Sequence, residues 1–170
     1  MRILGLDPGS NVTGYGTIET TGSGVTFVCG GRIRVQGTGF PERLRQIARE
    51  VEAVLARERP DVVVVEDVFS SRNVRAAFRI AQVRGVLLLK AAEAGHTVAE
   101  YSPAEIKKAV VGNGAAAKEQ VQFMVKHLLG LEDLPPADEA DALAAAICHS
   151  QRAGAGVKVE GGSAILEGDR

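Results

Sequence analysis

Four consecutive valines, Val62 to Val65, run straight into an acid, Glu66. A strand that is β-branched at every position shows apolar side chains to both faces of its sheet, so both faces need cover. The flanking sequence offers that cover as helices. Leu44, Ile47, Val51, Val54 and Leu55 recur at helical spacing, with Arg43, Arg45, Arg49 and Glu52 off the stripe, and Pro60 closes the helix. A second helix spans about Val74 to Ala94 and stops at Gly95. Ahead of both, residues 2–6, 12–19 and 25–35 read as three strands joined by Pro/Gly/Ser turns, an antiparallel meander. Thr97 to Tyr101 is a fifth strand. Ser102-Pro103-Ala104-Glu105 is a helix start, with Ser as N-cap, Pro in the first position and Glu in the third. That helix ends near Gly112-Asn113-Gly114. Another runs from near Ala116 to Gly130, and Pro135-Pro136 opens a last one to about Arg152. The expectation is an α/β domain over residues 1–152, a mixed sheet flanked by helices, followed by a flexible Gly-rich tail at 153–170.

Acids stand at the ends of apolar strands. Asp7 ends the first strand and Glu66 the fourth; if the two are parallel neighbours, both side chains emerge at one carboxyl-end edge. The last helix opens with Asp138, Glu139 and Asp141, and 138 and 141 share a helix face. Each acid alone has an ordinary reading: a turn residue, a solvated strand end, a helix cap, a first-turn charge. Together, clustered carboxylates repel unless a divalent cation sits among them. Oxygen-only donors select Mg²⁺, with Mn²⁺ as a substitute, over Zn²⁺. Two such ions about 4 Å apart activate a water and stabilise the leaving oxygen in phosphodiester cleavage.

Other chemistries find little support. Cys29 and Cys148 form no C-x-x-C pair, which argues against zinc and against a disulfide-built secreted domain. His96, His127 and His149 lack ligand spacing, and there is no Walker-type phosphate loop. The acid at position 7 excludes a signal peptide, and no apolar run approaches membrane-spanning length. The cytoplasm is the expected compartment.

A net charge of −1 gives no global pull towards nucleic acid, but charge is uneven. The window 72–118 carries eight basic and three acidic residues. Its Arg75, Arg79 and Lys90 have the reading of a solvated helix face. Lys107 and Lys118 flank the Gly112-Asn113-Gly114 turn, where a phosphate backbone can approach closely. Lys108 and Arg72 join them as candidate DNA contacts. Aromatics make up only 4%, with no Trp, so any base stacking rests on one or two rings. Phe69, three residues after Glu66, either stacks on bases or folds back as a core anchor.

The motifs taken in order resemble RuvC, the bacterial Holliday-junction resolvase family. The match runs from Arg2 to about Ser150. It rests on Ile3-Leu4-Gly5-Leu6-Asp7-Pro8-Gly9, Gly14-Tyr15-Gly16, Val65-Glu66 with Val68-Phe69, Ala81-Gln82-Val83-Arg84-Gly85-Val86, Val110-Val111-Gly112 with Lys118, and Ala137-Asp138-Glu139-Ala140-Asp141-Ala142-Leu143. The resemblance implies a ribonuclease-H-like fold with a five-stranded mixed sheet. It implies a homodimeric, Mg²⁺-dependent endonuclease that nicks two like-polarity strands of a four-way DNA junction, in company with the RuvA–RuvB branch-migration complex. It assigns metal binding to Asp7, Glu66, Asp138 and Asp141, base contact to Phe69 and phosphate contact to Lys107 and Lys118. Some members carry His where this chain has Asp138.

The segment from Ala76 to Lys90 matches that family's dimer helix. It bears two apolar stripes about 100° apart: Ala76, Ile80, Val83 and Leu87, and Ala77, Ala81, Leu88 and Ala92. One is spare for a partner unless the monomer buries both, and a charge at Leu87 or Leu88 is then expected to separate the copies. Three rivals remain: a ribonuclease-H-like nuclease for hybrid duplexes, an actin-like ATPase or sugar kinase, and a silent junction-binding module. Kinase-type folds need far more chain than 170 residues, and an intact acid set disfavours a silent module.

Overall fold

The computed structural model describes residues 1–22, 24–37, 39–67 and 73–154. Phe69, Arg72 and the tail beyond residue 154 lie outside the described residues. Ten elements follow in chain order: β1 (Arg2–Asp7), β2 (Val12–Thr21), β3 (Gly24–Arg34), α1 (Phe40–Glu58), β4 (Val62–Glu66), α2 (Val74–Glu93), β5 (Thr97–Tyr101), α3 (Pro103–Val111), α4 (Lys118–Leu129) and α5 (Ala137–Gly154). The sheet order is β3-β2-β1-β4-β5. β1 pairs antiparallel with β2 and parallel with β4, and β4 pairs parallel with β5. This is the mixed five-stranded ribonuclease-H-like sheet.

Strand alternation divides the core in two. Ile3 and Val64 point into a layer shared with α3, α4 and α5, while Leu4, Leu6, Val63 and Val65 point into a layer shared with α1 and α2. The valine strand therefore feeds both layers, as its composition requires. Because the side-chain period is 2, Asp7 and Glu66 fall on the α5 face. A bulge at Val28 shifts the β2–β3 register between Thr17 and Ile18. It turns Phe27 towards the α5 layer while Ile33 faces α1 and α2.

The helix ends follow their local chemistry, with small differences from expectation. α1 starts at Phe40, one turn before the apolar stripe, with Gly39 as N-cap and Pro41 in the first turn. α3 begins with the expected reciprocal cap: Ser102 Oγ accepts from Glu105 N at 3.3 Å, and Glu105 Oε2 accepts from Ser102 N at 2.9 Å. α4 begins at Lys118 rather than Ala116, where Gln120 Oε1 accepts from Ala117 N at 2.9 Å.

On α2 the expected division of stripes needs correction. Val83 and Leu87 are fully buried against the sheet, and Leu88 also packs on that core. The face left open takes Ala81 and Ala92 from the second stripe and adds Val74, Phe78, Gly85 and Leu89. These positions fall within an 80° arc of the helix, opposite Val83 and Leu87. A charge at Leu87 would thus damage the monomer's core rather than separate two copies.

Candidate active site

Register places the first two acids side by side. Leu6 is paired with Val65, so Asp7 and Glu66 are the next residues on adjacent parallel strands. Both are partly buried. α5 runs across this face of the sheet and brings Asp138 and Asp141 to the same edge.

How α5 gets so close depends on glycines. A Cβ on Gly14 of β2 would lie 1.9 Å from the Asp138 carbonyl oxygen, and one on Gly5 of β1 would lie 1.9 Å from that of Ala142. On Gly16 it would meet Leu143 at 2.5 Å, and on Gly30 of β3 the Glu139 carboxylate at 2.5 Å. The helix answers with small residues of its own: Ala140, Ala142, Ala144, Ala145 and Ala146 are all fully buried. At its far end His149 is buried and lies 2.8 Å by Nδ1 from the Tyr101 hydroxyl of β5. α5 is thus laid diagonally from β3 to β5, backbone against backbone. The glycine floor was the feature that sequence reasoning missed. Its signal was present, as alternate glycines on neighbouring strands facing an alanine-rich helix.

The acids sense one another. Burial first, then the Glu66 and Asp141 carboxylates, push the Asp7 carboxyl up to about 8; Asp138 adds to this and the Lys118 ammonium opposes it. Glu66 is raised as well, by burial and then by Asp141, although a hydrogen bond from Asp7 and the charges of Lys118 and Lys107 pull it down. Without a cation among them, both carboxyls are thus biased towards the protonated form, Asp7 the more strongly. Lys118 sits at the start of α4 with Nζ 3.0 Å from Asp141 Oδ2, and that carboxylate is the main reason its own proton is held more tightly. Among the described residues, no three acid, His or Cys side chains are drawn together tightly enough to form a finished metal cage. Lys118 is the local counter-ion instead. The donor set is nonetheless all carboxylate oxygen, the chemistry that suits a hard divalent cation.

The basic residues separate by partner. Lys107 acts on Glu66, whereas Lys108 is exposed and its carbonyl accepts the α3 closing bond from Gly112 N at 2.9 Å. Arg84 is bound to Glu100 and, at 3.3 Å, to Asp67; Lys90 is held by Glu52 at 3.1 Å and Glu93 at 2.9 Å. Their charge is spent within the fold.

Comparison with known proteins places this geometry. A family model described as "Crossover junction endodeoxyribonuclease RuvC" matches residues 3–149. A protein of that name from Alkalilimnicola ehrlichii is 49% identical over 152 residues, which is 89% of this chain and 92% of the relative. One from Geobacter sp. (strain M21) is 44% identical over the full length of both. The solved structure "T. thermophilus RuvC in complex with Holliday junction substrate" is similar at a TM-score of 0.84 and 36% identity, covering 90% of this chain and 94% of that one. The yeast mitochondrial Holliday junction resolvase Ydc2, at 14% identity and a TM-score of 0.60, shares the fold.

Proposed function

The chain belongs to the RuvC family of crossover junction endodeoxyribonucleases, and from that premise we propose that Asp7, Glu66, Asp138 and Asp141 hold the divalent metal with which it cuts four-way DNA junctions. It is a structure-selective endonuclease of recombination and repair. The observation that carries the site assignment is the pairing of Asp7 and Glu66 at the carboxyl ends of parallel β1 and β4, with α5 bringing two further acids over them. Mg²⁺, with Mn²⁺ as substitute, fits this donor set, and two ions per site suit the four acids. When bound, such ions activate water and stabilise the leaving oxygen.

The protein's own part is charge and position. Asp7 and Glu66 have to be ionised before both serve as ligands. Lys118 holds Asp141 in register, and once released its ammonium is free for a phosphate oxygen. Lys107 offers a second cation beside Glu66. Phe69 and Arg72, in the segment that follows Glu66, remain candidates for base and phosphate contact. Incubating the protein and Mg²⁺ with a labelled four-way junction, or with an RNA–DNA hybrid duplex, tests the reading: the junction should be cut and the hybrid spared. Equal cutting of the hybrid would favour the rival nuclease.

The lysines give a separate prediction. Lys107→Ala or Lys118→Ala should weaken junction binding and lower the slope of log K against log salt by about one per lost phosphate contact. An unchanged slope would mean that these lysines serve the carboxylates alone.

Resolution requires two cuts, and one site cannot reach both strands. A two-fold homodimer through the open face of α2 supplies the second. Phe78 is 67% exposed, Val74 65% and Leu89 56%. Gly85, between them, has nothing within 4 Å of where a Cβ would stand, so a partner helix can approach closely. Leu89→Glu is expected to give monomers that melt like the wild type, seen by sedimentation. Leu87→Glu should instead lower the melting temperature, since it buries a charge in the core. A wild type that sediments as a monomer and still cuts both strands in one encounter would refute the dimer. The family resemblance adds the RuvA–RuvB complex as partner, and the cysteine usage read from the sequence favours the cytoplasm as location. Among the described residues no helix is long and apolar enough to cross a membrane.

A further inference from the structure

On the sheet face opposite α5, three side chains bridge α1 and α2 beside the catalytic edge. Two guanidiniums lie over the Phe40 ring: Arg43 Cζ is 5.5 Å from its centroid, and Arg79 Cζ, from α2, is 5.8 Å. Arg43 also donates from Nη1 to Asn11 Oδ1, and the Asn11 carbonyl accepts from Val35 N at 3.1 Å. Asn11 stands in the loop that leaves Asp7, so the pair of arginines borders the same end of the sheet.

Only some arginines of the fold are paired. Arg2, Arg45, Arg57, Arg84 and Arg152 each meet a carboxylate. Arg43 and Arg79 meet none among the described residues. The acid next to Arg43, Glu42, is taken by Arg45 at 2.8 Å. Arg43 Nε, like Arg84 Nε, is buried and makes no hydrogen bond. With Nε buried and Nη1 given to Asn11, Arg43 offers an anion its Nη2, and Arg79 adds a second guanidinium at the same ring.

We propose that Arg43 and Arg79 form a second phosphate subsite, which holds the backbone of the same junction away from the scissile phosphate. This rests on the junction-nuclease reading above. Arg79 stands in the first turns of α2, and Asn11 ties Arg43 to the loop that leaves Asp7, so the subsite would hold backbone beside the catalytic end of the sheet.

The test is junction binding by the full chain across a salt series, without divalent metal, paired with single-turnover cutting in Mg²⁺ at saturating protein. Arg79→Gln is the primary variant because, among the described residues, its guanidinium has no carboxylate partner and lies over the Phe40 ring; Arg43→Gln follows, with melting curves to check the Asn11 loop. Each should weaken binding about 5- to 10-fold near 0.1 M salt and lower the salt slope by about one. The cutting rate of bound junction should not change. Arg49→Gln, on the exposed side of the same helix, should leave the slope as it is. An unchanged slope in Arg79→Gln, or an equal drop in Arg49→Gln, would overturn the subsite while wild-type cutting still upholds the nuclease. A wild type that neither binds nor cuts junctions would overturn both.

Discussion

Replacing Asp7 by Asn is expected to abolish junction cutting while leaving junction binding within about twofold. Removing one ligand forfeits several kcal/mol of metal-borne stabilisation, on the order of a 10³-fold loss in rate. The phosphate contacts assigned here lie on Lys107, Lys118, Arg43 and Arg79, so affinity should persist. The same substitution should stabilise the protein when no divalent cation is added. The Asp7 carboxyl titrates at about 8 in the fold against an ordinary value of 3.8. The native state thus binds a proton that the unfolded chain has lost, and stability falls as pH rises from 3.8 through about 8. The amide removes that dependence, so Asp7→Asn should melt several degrees above the wild type at pH 7.5 and nearly level with it at pH 4. Mg²⁺ at millimolar concentration should recover much of the difference for the wild type, and NaCl of equal ionic strength should not. Parallel loss of binding and cutting in a folded variant would contradict the assignment.

Putting a methyl group on the glycine floor should be nearly as damaging, through position rather than chemistry. In Gly14→Ala the new carbon would stand 1.9 Å from the Asp138 carbonyl oxygen, and in Gly5→Ala 1.9 Å from that of Ala142. Neither obstacle is a flexible side chain, so α5 has to lift off the sheet and carry Asp138 and Asp141 with it. Overpacking of this kind costs about 3 kcal/mol, a drop in melting temperature of roughly 10 °C for a chain of this size. Cutting should fall by at least tenfold even well below the melting temperature. Gly24→Ala, where the nearest atom is 3.8 Å away, should change neither. Wild-type cutting in Gly14→Ala would show that α5 need not lie so close.

Much of this architecture was legible because local and global signals agree. The valine run demanded two covering layers, and the helical stripe ending at Pro60 supplied one. The acids at positions 7 and 66 were legible as strand ends because an apolar run terminates abruptly at each. Tertiary pairing was harder to read. Two stripes on α2 looked alike in composition, and only packing against Leu4, Leu6 and Val63 decides that Leu87 is core and Leu89 is surface. The Val28 bulge leaves no mark in a period-2 reading. Lys118 looks the same in sequence whether it meets a phosphate or Asp141. The close approach of α5 depends on glycines more than a hundred residues away, and no window along the chain contains both partners.

The most direct measurement is cutting of a cruciform extruded from a supercoiled plasmid, in Mg²⁺, by wild type and Asp7→Asn. Supercoiling is lost after the first nick, so two cuts on opposite sides of one junction appear as linear plasmid only when both sites act within one binding event. The account predicts linear product with symmetrically placed, ligatable nicks on like-polarity strands from the wild type, and uncut but bound plasmid from Asp7→Asn. Nicked circles alone, or equal cutting of a plasmid that lacks the cruciform, would contradict it.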